Sequence, residues 1–397
     1  MEQLPTIVLT ERTAVECCLG PDDVDYLLSE HRAHLELVPT RQTGRYRLTP
    51  AGYVGTIAAP GCRLVIRPKL PLRNLFHLLD PNAPVPLGTD RASVLPGAEA
   101  LEFLAGRLAQ LLAERAAAGL QRGYTERAEV GAYLQGRLDV PAQLRAPSSR
   151  RDRLHCRHED FSADLPCNQV PKATAELLLQ SPLLGDEGRA ALQRGLQGWS
   201  RVSSVLPGPE SFTTPTEAYR PLLDLCRLLL DGLRPGESAG PVRCPAFLLD
   251  MEDVFERYVT DGIRRTCADS PLRMAAQPLI AVNEPLPRHP DLHIRPDILL
   301  LNEEEPLLVI DAKWKRLRCS PLVRADVYQM LAYCAGLGVR RAVLVYPGRR
   351  DRLWKYALTR SPVTVEVRTL RVAGSRRACR LSMRRLGQAV AALIGGG

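Results

Sequence analysis

The sequence lacks the features of membrane, secreted and disulfide-stabilised proteins. No stretch approaches the roughly 18 uncharged apolar residues that a membrane-spanning helix requires. The eleven cysteines include no CxxC pair, which in a chain of 397 residues favours reduced thiols over a disulfide framework. The first residues show no basic segment followed by an apolar run, so no signal peptide is expected. These absences predict a cytoplasmic protein that does not bind membranes.

Motifs for nucleotide hydrolysis and for base recognition are also missing. There is no GxxxxGK[ST] phosphate-binding loop, so hydrolysis of ATP or GTP would need another polypeptide. There is no zinc-finger spacing and no aromatic–basic repeat that would recognise bases. His155, Cys156, His158 and Cys167 lie close in sequence, but their spacing departs from zinc-ligand patterns. We prefer to interpret this segment as a strand that leads into a loop.

The length of the chain allows two or three domains. Residues 1–95 carry short apolar runs punctuated by Gly and Pro, which predicts a β-rich domain. Apolar residues at helical spacing dominate residues 96–246, and residues 247–397 alternate between helix and strand patterns. The expected fold class is multidomain α+β, with an N-terminal β-rich domain, a helical middle region and a C-terminal α/β domain.

The charge balance leaves two interpretations open. The chain carries 53 Lys and Arg against 44 Asp and Glu, a formal net charge of +9. This excess fits an acidic partner such as nucleic acid, and it fits solvated basic surfaces equally well. The basic stretch at residues 373–394 is similarly ambiguous. It would contact the DNA backbone or form a helix that covers a sheet, and we favour the second.

The stretch RPDILLLNEEEPLLVIDAKWK, residues 295–315, places charged residues at the ends of two apolar runs. The runs have strand length, and EEEP between them predicts a turn. If the turn centres near Glu304, antiparallel pairing sets Asp297 directly opposite Asp311, with Cβ atoms about 5 Å apart on one sheet face. Lys313 faces the same side, two residues after Asp311. The spacing thus predicts that two carboxylates and an ammonium converge at the open end of a hairpin.

Such a cluster is suited to metal-assisted hydrolysis. Two carboxylates at this distance repel each other unless a positive charge lies between them. Oxygen ligands of this kind suit Mg²⁺, which lowers the pKa of bound water and neutralises charge on a phosphodiester. Lys313 would orient the attacking water or stabilise the developing negative charge. The alternative is an exposed hairpin end where Lys313 bridges two Asp side chains with little effect on stability. For the bare pattern both interpretations stay open.

Two flanking helices add further polar residues. LLDMEDVFERYVTDGIRR has an apolar stripe, with Glu252 and Glu256 four residues apart beside it. After the hairpin, LVRADVYQMLAYCAGLG predicts a helix on which Gln329 and Tyr333 share a face. Ordinary helix surface and core would explain Gln329 and Tyr333 alone. A Glu helix, an Asp strand, an Asp-x-Lys strand and a Gln-x-x-x-Tyr helix are much rarer as an ordered set.

This ordered set resembles the PD-(D/E)XK nuclease superfamily, in particular its RecB-like branch with a Gln-x-x-x-Tyr helix. The matching residues are Glu256, Pro296-Asp297, Asp311-Ala312-Lys313, and Gln329 with Tyr333. The chain also resembles McrC, the nuclease-subunit family of McrBC 5-methylcytosine restriction systems. The similar segments are FLLDMEDVFERYV, RPDILL, VIDAKWK and DVYQMLAY. Upstream, YVGTIAAPGCRLVIRPKLPLRNLFHLL, AYLQGRLDV and LPCNQVPKATAELL resemble the same family, so the resemblance spans most of the chain.

The resemblance implies a PD-(D/E)XK (restriction-endonuclease-like) domain at residues 247–397. Asp297 and Asp311 would be its metal ligands, with the carbonyl of Ala312 as an additional oxygen. The implied cofactor is Mg²⁺, with Mn²⁺ as the alternative ion. The implied reaction is hydrolysis of DNA phosphodiesters.

The same resemblance implies roles for the remaining motif residues. Lys313 would be the catalytic lysine. Glu256 would be an accessory acid that reaches the metal through water. Gln329 and Tyr333 would orient the site or the DNA backbone.

The resemblance also implies a partner, because McrC-family proteins act with McrB, a ring-forming AAA+ GTPase that recognises modified DNA and translocates. The chain would dock on such a ring through residues 1–95, stimulate its nucleotide hydrolysis and cut double-stranded DNA, methylated DNA included. Two alternatives stay open. One is a non-cleaving activator or adaptor of an AAA+ NTPase, and the other is a stand-alone RecB-like DNA repair nuclease.

Overall fold

The computed structural model describes residues 4–81, 96–145, 153–205, 216–234, 246–268, 272–283, 291–315, 317 and 324–395. Within these ranges the helices are α1 (Pro21–Glu30), α2 (Leu72–Leu79), α3 (Pro96–Ala118), α4 (Val140–Arg145), α5 (Pro166–Gln180), α6 (Asp186–Gly195), α7 (Arg220–Gly232), α8 (Met251–Cys267), α9 (Arg324–Leu337) and α10 (Arg376–Gly395).

The strands in the N-terminal and middle parts are β1 (Thr6–Thr10), β2 (Val15–Cys18), β3 (Leu35–Pro39), β4 (Arg45–Pro50), β5 (Tyr53–Ala58), β6 (Arg63–Arg67), β7 (Gly123–Gly131), β8 (Arg137–Leu138), β9 (Leu154–Ser162) and β10 (Leu233–Arg234). Those that follow are β11 (Ala246–Asp250), β12 (Arg273–Ala276), β13 (Ile280–Ala281), β14 (His293–Ile294), β15 (Ile298–Asn302), β16 (Glu305–Ala312), β17 (Arg341–Gly348), β18 (Arg352–Ala357) and β19 (Thr364–Arg371). The architecture is mixed α/β with several sheets.

The chain divides into two units. Residues 1–97 and 248–397 form one, and residues 98–247 form the other. The N-terminal and C-terminal segments therefore belong to the same unit, while the finer division at residues 95 and 246 stays a prediction. Among the helices that the structure describes, none is both long and apolar enough to cross a membrane.

The N-terminal segment contributes two groups of strands to the first unit. β1 pairs in parallel with β6, and β6 pairs antiparallel with β5. β2, β4 and β3 form a separate antiparallel sheet in that order. Short runs rich in β-branched residues, ended by Gly and Pro, favour such strands. As predicted, strands outnumber helices in this segment.

A six-stranded sheet forms the C-terminal part of the same unit. Its order is β12-β15-β16-β17-β19-β18. β16, β17 and β19 run parallel, whereas β12, β15 and β18 are antiparallel to their neighbours. The central strands are buried on both faces, which explains their nearly continuous runs of Val, Leu and Ile. The carboxyl ends of β16, β17 and β19 consequently meet at one edge.

Side chains alternate along β16, so its two faces pack against different helices. Val309 lies in a core cluster with Met330 and Tyr333 of α9. Trp314, of opposite parity, contacts Phe255 of α8, with ring centroids 5.5 Å apart. Residues 309, 311 and 313 therefore share the face that α9 covers, and α8 packs on the other side.

Helix α8 has the buried apolar stripe that its sequence predicts, and the structure adds an N-cap. The Asp250 side chain accepts a hydrogen bond from the Glu252 N–H at 2.8 Å and caps the helix. Acidic residues in the first turn and arginines in the last turn match the helix dipole. Helix α10 packs against α8 and β19. The basic stretch at residues 373–394 thus forms the covering helix that we favoured.

Helices dominate the second unit, as the periodicity predicts. Trp199 is fully buried, and its Nε1 donates a hydrogen bond to the Leu112 carbonyl of α3 at 3.2 Å. The Tyr219 hydroxyl donates to Asn168 Oδ1 of α5 at 2.7 Å. These bonds satisfy polar groups that the helices bury.

An antiparallel sheet of order β7-β9-β8 gives the second unit a β component that the helical pattern did not predict. β9 contains Cys156 as a buried residue and leads into the loop before α5, as expected for this segment. Within the described ranges, no group of three or more His, Cys, Asp or Glu residues is arranged to hold a metal.

A buried carboxylate connects the N-terminal strands with the end of β16 inside the first unit. Glu11 is 1% exposed. It accepts hydrogen bonds from the Lys69 N–H at 2.8 Å and from Trp314 Nε1 at 2.9 Å. The adjacent Arg12 forms an ion pair with Glu252 of α8 at 2.9 Å. These contacts fix the turn after β1 against both α8 and the segment that follows β16.

Replacing Glu11 by Ala should destabilise the chain, because the N–H groups of Lys69 and Trp314 would lose their acceptor inside the protein. Each unsatisfied buried donor costs about 1–3 kcal/mol, so urea denaturation should show a loss of about 2–5 kcal/mol. Glu16→Ala is the control, since Glu16 pairs with Arg47 at the surface and should change stability by less than about 1 kcal/mol. Equal losses for the two variants would contradict the prediction.

Candidate metal and nuclease site

The β15–β16 hairpin aligns two aspartates by means of a β-bulge. The register shifts between Leu300 and Leu301, so β16 contains one extra residue between the turn and the pair Ile298–Ile310. Continuing that register by one residue sets Asp297 opposite Asp311, the alignment predicted from the sequence. Without the bulge the two strands would be offset by one residue, and their side chains would not share a face.

Three neighbouring strands place polar residues in one row. β12 pairs Ala276 with Ile298, so the next residue, Gln277, lies opposite Asp297. The Gln277 N–H donates to the Asp297 carbonyl at 2.9 Å. From β16, the Ala312 N–H donates to Asp297 Oδ2 at 2.7 Å. Asp297 is thereby held between β12 and β16, although it precedes β15.

Asp311 is a buried acid with very few partners. It is 1% exposed, and Lys313 Nζ lies 2.8 Å from its Oδ2. Apart from this ion pair, neither carboxylate oxygen has a hydrogen-bond partner in the described part of the chain. Burial raises the pKa of Asp311, and the Lys313 ammonium opposes that shift. For Lys313, burial lowers the pKa, but the nearby carboxylates outweigh burial and the pKa is raised.

Burial and like charge disfavour ionisation of two further acids. Burial raises the pKa of Asp297 to about 8, with contributions from Asp311 and Glu256. Burial also raises the pKa of Glu256 on α8, against a hydrogen bond from Gln277 Nε2 at 2.5 Å. Three carboxyl groups therefore lie close together at one end of the sheet, and each disfavours ionisation of the others.

Helix α9 holds the segment that leads into β15. The Tyr333 hydroxyl donates to the carbonyl of Arg295, two residues before Asp297, at 3.0 Å. Gln329 Nε2 donates to the Tyr333 hydroxyl at 2.6 Å. Burial raises the pKa of Tyr333, so it stays a protonated donor near neutral pH. The two helix residues thus form a hydrogen-bonded pair that positions the Asp297 segment.

The carboxylate oxygens of the site are suitable ligands for a divalent cation. Apart from the Lys313 ion pair, the two buried oxygens of Asp311 have no partner in the described part of the chain, and an oxygen-preferring cation would satisfy them. No three His, Cys, Asp or Glu residues form a complete ligand group among the residues described. Mg²⁺ does not require three, because it usually takes one or two carboxylates together with water and substrate oxygens.

The sequence of the chain matches the model of a known protein family. A family model described as "McrBC 5-methylcytosine restriction system component" matches residues 48–347. The chain belongs to the McrBC family. The match extends over all of the residues that the sequence motifs singled out, and the resemblance to McrC is confirmed at the family level. No curated protein matches the chain.

Two solved structures are similar to this McrBC-family chain. One is a chain of a refined half-complex from a tetradecameric assembly of Thermococcus gammatolerans McrB AAA+ hexamers with bound McrC. It has 15% sequence identity and a TM-score of 0.50, covering 96% of this chain and 100% of that chain. The other is from a cryo-EM structure of the Thermococcus gammatolerans McrBC complex, with 18% identity, a TM-score of 0.41, and coverage of 66% and 88%. The first match supports the overall fold.

Two residues of the site were not predicted from the sequence of this McrBC-family chain. Gln277 bonds Glu256 and also accepts a hydrogen bond from Arg295 Nη2. Its segment, AAQPLI, carries no motif, because its role depends on the pairing of β12 with β15. Arg295 stands directly before the Pro-Asp pair, and that position is the one signal that pointed to it.

The raised pKa of Asp297 predicts a pH-dependent stability in metal-free protein. The folded state holds this proton up to about pH 8, whereas the unfolded state releases it near the ordinary value of about 4. Raising the pH between these values therefore removes stability, by at most about 1.4 kcal/mol per pH unit. Asp297→Asn cannot lose a proton, so its stability relative to wild type should increase from pH 5 to pH 8.

Urea denaturation in EDTA at several pH values measures this difference. The exposed Asp291→Asn, outside the cluster, is the matched control and should track wild type. A constant difference between Asp297→Asn and wild type across the range would show that burial does not shift the Asp297 titration.

Proposed function

We propose that this chain is the DNA-cleaving subunit of an McrBC-like, modification-dependent restriction system. It is a metal-dependent endodeoxyribonuclease controlled by an McrB-like AAA+ ring. The observation that carries the proposal is Asp311, a buried carboxylate opposite Asp297 that has Lys313, 2.8 Å away, as its one partner among the described residues. An exposed hairpin end, the alternative for this pattern, does not agree with an Asp311 that is 1% exposed.

Asp297 and Asp311 would hold the metal ion, with the carbonyl of Ala312 as a third oxygen. Mg²⁺ is the proposed ion and Mn²⁺ the alternative, because both prefer oxygen ligands. The chemistry supplied by such an ion is that of a Lewis acid, which neutralises charge on a phosphodiester and acidifies water. Binding of the cation would also relieve the repulsion that raises the pKa of Asp297.

The remaining residues of the site would act on substrate and water. The Lys313 ammonium is held beside the carboxylates and would stabilise negative charge that develops on the phosphate during attack by water. Burial raises the pKa of Glu256, which favours a role for this carboxyl group in proton transfer. Gln329 and Tyr333 would keep the Asp297 segment in place through the Arg295 carbonyl. Hydrolysis would form one P–O bond to water and break another within the DNA backbone.

We assign a PD-(D/E)XK domain to residues 247–397. Support comes from a mixed sheet in which Asp297, directly before β15, lies opposite Asp311 of the adjacent β16. Helix α8 carries Glu256, and helix α9 carries Gln329 and Tyr333. The β-rich residues 1–95 would dock on the ring. Their direct bonds to α8 and to Trp314 give docking a physical route to the site.

The partner is proposed from the family and from the similar solved structures. These structures are McrB AAA+ hexamers with bound McrC and an McrBC complex. The sequence of this chain has no phosphate-binding loop, which agrees with nucleotide hydrolysis by a separate polypeptide. Double-stranded DNA that carries a modification such as methylation would be the substrate.

Plasmid cleavage by the full chain with its AAA+ partner, nucleotide and Mg²⁺ tests the proposal. Asp311→Ala should lower the cleavage rate by at least about 100-fold, because the site loses a metal-binding group, while stimulation of nucleotide hydrolysis persists. EDTA should abolish cleavage by wild type. Glu304→Ala is the control, since Glu304 lies at the turn of the same hairpin and pairs with Arg273.

Other outcomes would select the alternatives. Stimulation of nucleotide hydrolysis without cleavage of methylated or unmodified DNA would indicate a non-cleaving activator. Metal-dependent cleavage without the partner would indicate a stand-alone nuclease. Full activity of Asp311→Ala would place the reaction elsewhere in the chain.

A further inference from the structure

An arginine beside the carboxylates keeps its charge without an acidic partner. Arg295 is exposed, and its Nη2 donates a hydrogen bond to Gln277 Oε1. No carboxylate of the described residues forms an ion pair with it, whereas Arg273, at the start of β12, pairs with Glu304 at 2.7 Å. Arg295 therefore offers most of its five N–H donors, in a planar fork, to whatever approaches this end of the sheet.

Gln277 is the reason that Arg295 stays uncompensated. Its amide stands between Glu256 and Arg295, donating to the carboxylate through Nε2 and accepting from the guanidinium through Oε1. The neutral side chain thus fixes both charged groups and separates them. Gln277 has a positive φ of 47°, which is unusual for a residue other than Gly, and its N–H is bonded to the Asp297 carbonyl. The strained backbone is the kind of feature that clusters at functional sites.

The position of Arg295 relates it directly to the acids. Its carbonyl is held by Tyr333, and Asp297 follows two residues later. A polyanion that approached this end of the sheet would meet the acidic groups Asp297, Asp311 and Glu256, so a cation at the rim would favour its approach. A guanidinium with free donors matches the oxygens of a phosphodiester in geometry and charge.

We propose that Arg295 is a substrate-binding residue that holds a backbone phosphate of the DNA strand beside the carboxylate cluster, and that Gln277 positions it. The inference rests on the proposed nuclease function and adds a contact that the motif residues do not provide. A phosphate contact positions DNA without reading its sequence. Arg295 should therefore act equally on methylated and unmodified duplexes.

The test measures the salt dependence of duplex binding by the full chain in complex with its AAA+ partner. Asp311→Asn is present in every protein so that the DNA is not cut. Loss of one phosphate contact should reduce the slope of log K against log salt by about 0.9. Arg295→Ala should show this reduction and bind about tenfold more weakly at low salt. Arg295→Lys should keep the slope and lose part of the affinity, because it retains charge without the planar fork.

Two further variants make the comparison specific. Arg273→Ala removes an exposed arginine at the start of β12, four residues before Gln277 and about 13 Å from it along the strand. This variant should leave the slope of log K against log salt unchanged. Gln277→Glu places a carboxylate against Arg295 and should reproduce the reduced slope although Arg295 is present. In proteins with an intact Asp311, Arg295→Ala should raise KM for cleavage more than it lowers kcat.

The outcomes separate this inference from the proposed function. If wild type cuts DNA and Arg295→Ala matches Arg273→Ala in slope and KM, the phosphate contact is overturned and the nuclease assignment stands. If wild type never cuts but Arg295→Ala still reduces the slope, the contact stands and the nuclease assignment fails. A loss of affinity with an unchanged slope in Arg295→Ala would show a structural role instead, and would also overturn the inference.

Discussion

The hydrogen-bonded register between β15 and β16 is the constraint on which the site depends. A single bulged residue sets Asp297 opposite Asp311, and the Ala312 N–H then bonds the Asp297 carboxylate at 2.7 Å. Because side chains alternate across a strand, a shift of one residue would separate the two acids. β15, β16 and the neighbouring β17 are mostly buried, so the register is fixed by packing as well as by hydrogen bonds.

Once the acids are opposed, the surrounding contacts follow from charge. Within the described residues Asp311 has only the Lys313 ammonium as a partner, while burial disfavours the ionised forms of Asp297 and Glu256. The site is thus held in an electrostatically unfavourable state that a divalent cation would relieve. The clustered acids lower the stability of the metal-free fold, and such perturbed pKa values are common at functional sites. The protein compensates with bonds on every side of the Asp297 segment, from Gln277, Ala312 and Tyr333.

The N-terminal strands are physically joined to this region although they lie about 300 residues away in sequence. Glu11 bonds Trp314, which directly follows Lys313, and Arg12 pairs with Glu252, one helical turn before Glu256. These segments form one unit rather than independent modules. If residues 1–95 dock on an AAA+ ring, as proposed, a shift of the turn after β1 would reach Lys313 and α8 within the same unit.

The sequence alone determined the features that depend on local spacing. Strand alternation and helical periodicity depend on residues that are close in sequence. They predicted the hairpin, the apolar stripe of α8 and the shared face of Gln329 and Tyr333, and the motifs predicted the family. Only the tertiary structure decided which distant residues complete the site. Gln277 reaches Asp297 through strand pairing, Arg295 is held through Gln277, and Glu11 meets Trp314 across 303 positions. Such contacts have no periodic signal, because they arise from the burial of separate segments against one another.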